Sequence, residues 1–391
     1  MNPMPIDTPL DTPLSRVADH LSAHKLQTPC YVYDVGRCVR DGKALVEALG
    51  GPLVVSLKAN PNVDLCMRIR HLQGGIEVAS LKELHTVSKA DNVFVNSPVL
   101  DRSLIRVALS VRATFIIDNP GQLDDILDLQ GTRPAVRIML RLNAQAILSH
   151  FLGPDGMPSL RGDHFGLDWP GAMALVDKVK EHPGRLQCLG FHLFAGSHAF
   201  PRVGMQIAEL APVMVAAMEA RHGAEITVIN LGGGFSEVWQ SGNFDFAAYR
   251  ERLAALPGRI TVYHESGRGL FAGCGVFAST VIRTKIVAGR HYAVCDGGLA
   301  QGFLLCQTEN PFRKLRHPRV VRTASAAATA PDVHTLLVGP SCSRDDVIGE
   351  VTGAPLAPGD ICLFDNCGAY HSTYTPSGFL GLEEARQYVL G

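Results

Sequence analysis

The chain has 391 residues, of which 46% are hydrophobic and 19% charged, and a formal net charge of -1. Near-neutral charge with scattered basic residues leaves no electrostatic footprint for nucleic acid or an anionic membrane, while the length suits two domains, or one barrel with an extension. Ten cysteines without a Cys-x-x-Cys pair argue against a zinc site and a disulfide framework, so a reducing cytoplasm and a small-molecule partner are expected.

Met1 to Ser15 is polar, holds four prolines and has neither a basic start nor an apolar stretch; no export signal is expected there, and no apolar run is expected to span a bilayer. Pro29 to Asp34 reads as a strand outside the main repeat, a candidate to pair with the C-terminal part of the chain. From Leu53 onward, short strand-like runs alternate with longer amphipathic ones. The predicted strands are Leu53–Lys58, Ile76–Ser80, Val93–Asn96, Thr114–Asp118, Val136–Asn143, Cys188–Phe194, Ile226–Leu231 and Ile260–Glu265. Between them lie helix-like runs such as Val63–His71, Leu81–Lys89, Gln122–Leu129, Ala172–Lys180 and Val203–Arg221. An eightfold alternation of this size predicts an α/β fold, a (β/α)8 TIM-type barrel. After Ala272 the texture changes to β-rich segments, Val276–Val287, His291–Asp296, Thr335–Val338 and Asp360–Phe364, with Gly and Pro turns. The expected organisation is an N-terminal segment (1–35) packing on a β domain, a barrel (36–272) and a C-terminal all-β domain (273–391).

Barrel chemistry collects at the C-terminal strand ends. Here those ends carry Lys58, Ser80, Asn96, Asp118, Arg141, the Phe194-Ala195-Gly196-Ser197 turn, Gly232-Gly233-Gly234 and Glu265. Lys58 closes an apolar run and meets Asn60 and Pro61 at once. An ammonium partly desolvated at such a strand mouth gives up its proton more readily and can condense with a carbonyl; the plainer reading is a lysine that snorkels to solvent. The triple glycine offers bare N–H groups for a phosphate nest, or simply a tight turn. His264 to Gly269 places a carboxylate, a flexible step and a guanidinium together, which on a surface would be an ion pair of little consequence.

Taken in order, Val55–Asn60, Glu77–Leu84, His164–Gly166, His192–Ser197, Leu231–Phe235, Glu265–Arg268, Gly339–Cys342 and Gly368–Tyr370 resemble the motifs of the fold type III pyridoxal-phosphate decarboxylases, the group of ornithine and diaminopimelate decarboxylases, with alanine racemase a more distant relative of the same fold. The resemblance runs from about Thr28 to Gly381. It implies that Lys58 holds pyridoxal 5'-phosphate as a Schiff base. Gly234, Gly267 and Ser197 would bind the phosphate with help from Tyr370, and Arg141 and Phe194 would also line the cofactor. Arg268 would serve the phosphate or a substrate carboxylate, and Glu265 would keep the pyridine nitrogen protonated, which favours decarboxylation over the racemase alternative. One departure is visible: where the group has a histidine stacked on the ring, this chain has Phe194, which stacks but carries no charge.

Cys342 occupies the place of the thiol that reprotonates the substrate carbon across a dimer. The next residues are Ser343 and Arg344, where ornithine-type enzymes have an aspartate and diaminopimelate-type enzymes a glutamate. An arginine suits a distal carboxylate; the alternative is a solvated arginine paired with Asp345 or Asp346. Asn366 through Tyr370 and Thr375 through Gly381 resemble the branch acting on citryl-amino acid intermediates of siderophores and on carrier-bound glutamate. The resemblance therefore implies a cytoplasmic, homodimeric L-amino-acid decarboxylase with shared active sites, with Ser343, Arg344, Arg268 and Tyr370 contacting a substrate that bears a citryl or similar acidic group. A diaminopimelate- or ornithine-type decarboxylase, a racemase, a class I aldolase-like lyase and a non-catalytic regulator stand as alternatives. No role follows for His192 or His371.

Overall fold

The computed structural model describes residues 13–23, 26–87, 92–153, 158, 160–306, 314–323, 331–376 and 378–391. Most of the polar N-terminal stretch (1–12), the end of the predicted helix at Lys89 and Ser377 of the C-terminal motif lie outside them. The described chain divides into two units, 39–270 and 1–38 with 271–391.

In the first unit, eight parallel strands among the described residues close into a barrel: Leu53–Ser56, Gln73–Val78, Val93–Val95, Thr114–Ile117, Val136–Asn143, Leu186–Phe194, Val228–Asn230 and Thr261–Ser266. Closure is made by the first and eighth strands, Leu53 beside His264 and Val54 beside Glu265. Leu53–Ser56 and Thr114–Ile117 are buried at every position, as strands are when side chains fill the barrel within and helices cover it outside. Gly75 shows how tightly the space is filled, since a Cβ there would lie 2.7 Å from the Phe94 ring.

Several strands stop sooner than their hydrophobic runs suggest. Lys58 sits on a 3₁₀ turn, Leu57–Ala59, rather than on the strand, and Ser80, Asn96 and Asp118 lie beyond their strand ends. Local side-chain bonds turn the chain. Ser80 Oγ accepts the Glu83 N–H (3.2 Å) at the start of helix Leu81–Val87, and Asn119 caps helix Pro120–Gln130, whose proline occupies the first turn. Helix Phe200–His222 contradicts the expectation about apolar runs: by length and composition it is long enough to cross a membrane, although half of its most apolar window is buried in the protein. It carries Pro212 and presents Val203, Ile207, Leu210, Met214 and Met218 to the interior.

The second unit is built on the long strand Gly275–Val287, which pairs antiparallel with Arg290–Cys295, Ile361–Phe364 and Cys30–Asp34. Cys30–Asp34, buried throughout, also runs parallel to Arg386–Leu390. Strands Arg319–Val321, Val333–Val338 and Val347–Gly353 complete the sheet. The unit is not purely β, as helices Pro13–Ser22 and Phe303–Cys306 belong to it. The first of these places Val17, Ala18 and Leu21 against Cys30, Val32, Val276, Ala278 and Leu363 in one apolar cluster.

Candidate active site

The Ala59-Asn60-Pro61-Asn62 stretch turns the chain back through its two asparagines. Asn60 Oδ1 accepts the Asn62 N–H (3.0 Å), and Asn62 in turn caps helix Val63–Arg68 by accepting from Leu65 (3.0 Å). That turn sets Lys58 at the rim of the barrel. The desolvation of Lys58 is only partial, as its side chain is 49% exposed. What holds it is an acid: Nζ lies 3.2 Å from Glu77 Oε1, and Ser56 Oγ donates to Glu77 Oε2 at 2.8 Å. Glu77 is itself buried. A second carboxylate, Glu83, is pushed up by burial and partly drawn back by the Ala79 N–H it accepts.

Across the barrel, the parallel register sets His192 beside Asn230 and Asn230 beside Tyr263. Two residues further along the eighth strand is Glu265. Asn230 Nδ2 donates to Glu265 Oε1 at 2.8 Å, and His192 Nε2 lies 3.1 Å from the same oxygen. Burial alone would raise this carboxyl, but the His192 ring, the Lys58 ammonium and the Asn230 amide outweigh it and hold the group below the usual carboxylate range. Glu265 is therefore a buried carboxylate, not half of a surface pair.

Asn230 also accepts the Gly232 N–H (2.9 Å), which opens the glycine turn, and the Glu265 N–H donates to the Gly232 carbonyl (2.7 Å). The glycines are required here. A Cβ on Gly233 would lie 2.2 Å from the Glu265 carbonyl oxygen, and one on Gly234, at φ 98, would lie 2.5 Å from the Gly196 carbonyl oxygen. Gly234 thus lies against the turn that opens helix Phe200–His222, whose first N–H groups receive no side-chain cap. Ser197 is exposed on this turn, and Phe194 is half-buried at the end of its strand. Gly267 is buried and Arg268 half-buried at the end of the eighth strand. Bare backbone donors at an uncapped helix start suit a phosphate group, and a buried carboxylate suits a protonated ring nitrogen, so the residues present fit pyridoxal phosphate.

Arg141 is held from three sides. Its Nη1 donates to Asn96 Oδ1 (3.1 Å) and Asp118 Oδ2 (3.2 Å), and its guanidinium carbon lies 4.4 Å from the centre of the Phe165 ring. The other Asp118 oxygen accepts the Gly166 N–H (3.1 Å), which ties the Phe165 loop to the same strand end.

Cys342, Ser343, Arg344 and Tyr370 belong to the other unit. Cys342 is exposed whereas the other nine cysteines are buried. Its loop is fixed from beneath by buried Asp346, which accepts Leu299 N–H on Oδ1 (2.7 Å) and Ser341 N–H on Oδ2 (3.0 Å). Arg344 is exposed and forms no ion pair with Asp345 or Asp346 among the described residues. Tyr370 adopts φ 66, and its carbonyl accepts the Tyr374 N–H at 2.8 Å.

The family description "Pyridoxal-dependent decarboxylase, pyridoxal binding domain" matches residues 37–272. The chain belongs to the pyridoxal-dependent decarboxylases. The L-glutamyl-[BtrI acyl-carrier protein] decarboxylase of Niallia circulans is 26% identical, with 91% of this chain and 87% of that protein covered. The diaminopimelate decarboxylase of Deinococcus radiodurans is also 26% identical, over 91% and 89% of the two chains. The lysine/ornithine decarboxylase of Vibrio vulnificus, solved with putrescine, superposes with a TM-score of 0.78 at 19% identity, covering 97% of this chain and 98% of that one; this likeness speaks for the fold. As a member of the family, the protein is a carboxy-lyase that uses pyridoxal phosphate on amino-acid substrates.

Glu77, Asn230 and Asp346 were not singled out from the sequence as site residues. Glu77 carried a usable signal, an acid between Ile76 and Val78 in an apolar strand, since a buried carboxylate needs a partner. For Asn230 the only hint was its place just before the glycine turn.

Proposed function

We propose that this decarboxylase removes the α-carboxylate of an L-amino acid whose side chain bears an acidic acyl group, a citryl conjugate foremost. One observation carries the reaction side of the reading: Lys58 is paired to a buried acid while Glu265, on the closing strand of the same barrel, is held as a carboxylate. Lys58 Nζ would hold the cofactor at its aldehyde carbon, with Glu77, 3.2 Å away, orienting the amine. Backbone N–H groups at Gly234 and Gly267, the Ser197 hydroxyl and the Tyr370 phenol would hold the phosphate. Arg141 and Phe194 would line the cofactor, and Glu265 would accept from its ring nitrogen. Pyridoxal phosphate, when bound, supplies a ring that takes up the electron pair left as carbon dioxide departs. The Cys342 thiol then delivers a proton to the substrate carbon.

The substrate reading rests on Ser343 and Arg344 following Cys342, with no acid of the neighbouring Asp345 and Asp346 neutralising the guanidinium. Arg344 receives the distal carboxylate as a two-point fork, and Arg268 serves either the phosphate or a substrate carboxylate. A second reading, decarboxylation of carrier-bound glutamate, is favoured by the name and coverage of the N. circulans relative. Carbon dioxide release, measured against citryl conjugates, glutamyl-carrier protein, diaminopimelate and ornithine, separates these readings; a clear preference for a free diamino acid refutes the role of Arg344. Borohydride reduction followed by peptide mass spectrometry should place the cofactor on Lys58, and an adduct on another amine removes the catalytic assignment. The enzyme is further expected to work in the cytoplasm as a head-to-tail homodimer with shared sites, so that mixing inactive Lys58→Ala and Cys342→Ala proteins restores activity.

A further inference from the structure

We infer that His192 is a positioning residue which, together with Asn230, occupies one oxygen of Glu265 and leaves the other as the acceptor for the cofactor ring nitrogen. The inference rests on the role of Glu265 proposed above.

His192 lies on the sixth barrel strand and is fully buried. Neither of its ring nitrogens makes an aligned hydrogen bond. Such a group is costly in an interior unless something compensates it, and the polar neighbour within reach is Glu265 Oε1, 3.1 Å from Nε2. Asn230 donates to that same oxygen, and no protein donor reaches Oε2 among the described residues. The Asn230 amide is not free to turn away, because its Oδ1 accepts the Gly232 N–H at 2.9 Å. Its NH2 group is therefore committed to Glu265, and His192 closes the other approach to the same oxygen.

A further consequence is a link between the two ends of the cofactor site. The side chain of Asn230 joins the carboxylate that would face the ring nitrogen to the glycine turn that would hold the phosphate, so a carboxylate that swings loses its register with the turn. The groups facing Glu265 are His192 from the sixth strand, Asn230 from the seventh and Lys58 beyond the first, and together they hold the carboxyl low against the opposing effect of burial. Without His192 the carboxyl takes up a proton at higher pH and rotates more freely.

The test uses the holoenzyme loaded with cofactor labelled with nitrogen-15 at the ring position. In the native protein the nitrogen resonance should report a protonated ring across neutral pH. His192→Leu should move it toward the unprotonated position and shift the acid limb of kcat/KM to higher pH. His192→Gln, whose amide keeps a polar group within reach of Oε1, should restore both readouts. Native behaviour in His192→Leu overturns the inference and makes His192 a core residue. If that variant fails to fold or to load, His192→Gln decides, and loss of the protonated signal there also overturns it. A native nitrogen signal in Glu265→Gln instead defeats the reading of Glu265 itself.

Discussion

His264 and Tyr249 form a buried pair behind the catalytic face, and their ionisation makes a measurable demand on the barrel. Alternation along the eighth strand turns His264 to the side opposite Glu265. Its Nε2 lies 2.7 Å from Tyr249 Oη, its ring meets those of Phe200 and Tyr249, and its Nδ1 has no partner. Burial lowers the pKa of His264 from 6.5 to about 3. Between those values the unfolded chain binds the proton and the folded chain does not, so His264 contributes its stability fully above 6.5 and loses it as pH falls. Linkage gives a loss of about 2 kcal/mol by pH 5 and about 3 kcal/mol by pH 4, relative to neutral pH. His264→Phe removes the titration but strands the Tyr249 hydroxyl, at about 1–3 kcal/mol. The variant should therefore be the less stable protein at pH 7.5, and its stability curve should cross that of the parent near pH 5. Urea midpoints read by tryptophan fluorescence suit the purpose, because Trp169 and Trp239, the two tryptophans of the chain, both lie in the barrel unit. If parent and variant lose stability in parallel from pH 7.5 to 4.5, His264 is not held neutral by the fold.

Gly234→Ala should weaken cofactor binding at least about tenfold, roughly 1.4 kcal/mol, because the new methyl meets the Gly196 carbonyl at 2.5 Å in a backbone at φ 98; equilibrium dialysis on protein with unchanged circular dichroism measures it, and an unaltered Kd refutes it. Asp346→Asn turns an amide NH2 toward one of the two N–H groups that the carboxylate accepts. Its kcat should fall with cofactor Kd unchanged and with a stability loss of about 1–3 kcal/mol, whereas a weakened cofactor Kd would contradict the placement. Arg344→Gln should raise KM for substrates with a distal carboxylate by about tenfold or more and leave cofactor loading intact, and equal KM values for parent and variant would refute the substrate reading.

The barrel was legible because parallel strands covered on both faces are nearly continuous apolar runs, and because a polar residue that ends such a run is conspicuous. Lys58, Arg141 and Glu265 stood out on those terms. Their partners did not, since pairing depends on register, and register is a property of the closed sheet. Glu77 is 19 positions from Lys58 and reaches it only because the first and second strands lie side by side with Ser56 opposite Glu77. His192 meets Glu265 across the seventh strand, a contact that no spacing within 73 residues of chain announces; alone in Gly190-Phe191-His192-Leu193 it reads as a core histidine.

The strand ends misled for a related reason. Hydrophobicity continues through Leu57 and Ala79, so each of these runs extends past its strand, which ends at Ser56 or Val78, while side-chain oxygens of Asn60, Ser80 and Asn119 accept backbone N–H groups in the turns and helix starts that follow. Those bonds also explain the exposure of Lys58. A lysine on a strand pointing into the barrel would be desolvated, but on the following 3₁₀ turn it stands at the rim, half in solvent, with its amine reaching back to Glu77. Ser343-Arg344-Asp345-Asp346 shows the opposite error of scale. It reads as one solvated polar loop, yet Asp346 alone is withdrawn into the interior, where two backbone donors meet its oxygens. The acid that anchors the Cys342 loop thus has both oxygens committed to backbone N–H groups, while Arg344, two residues before it, stays exposed.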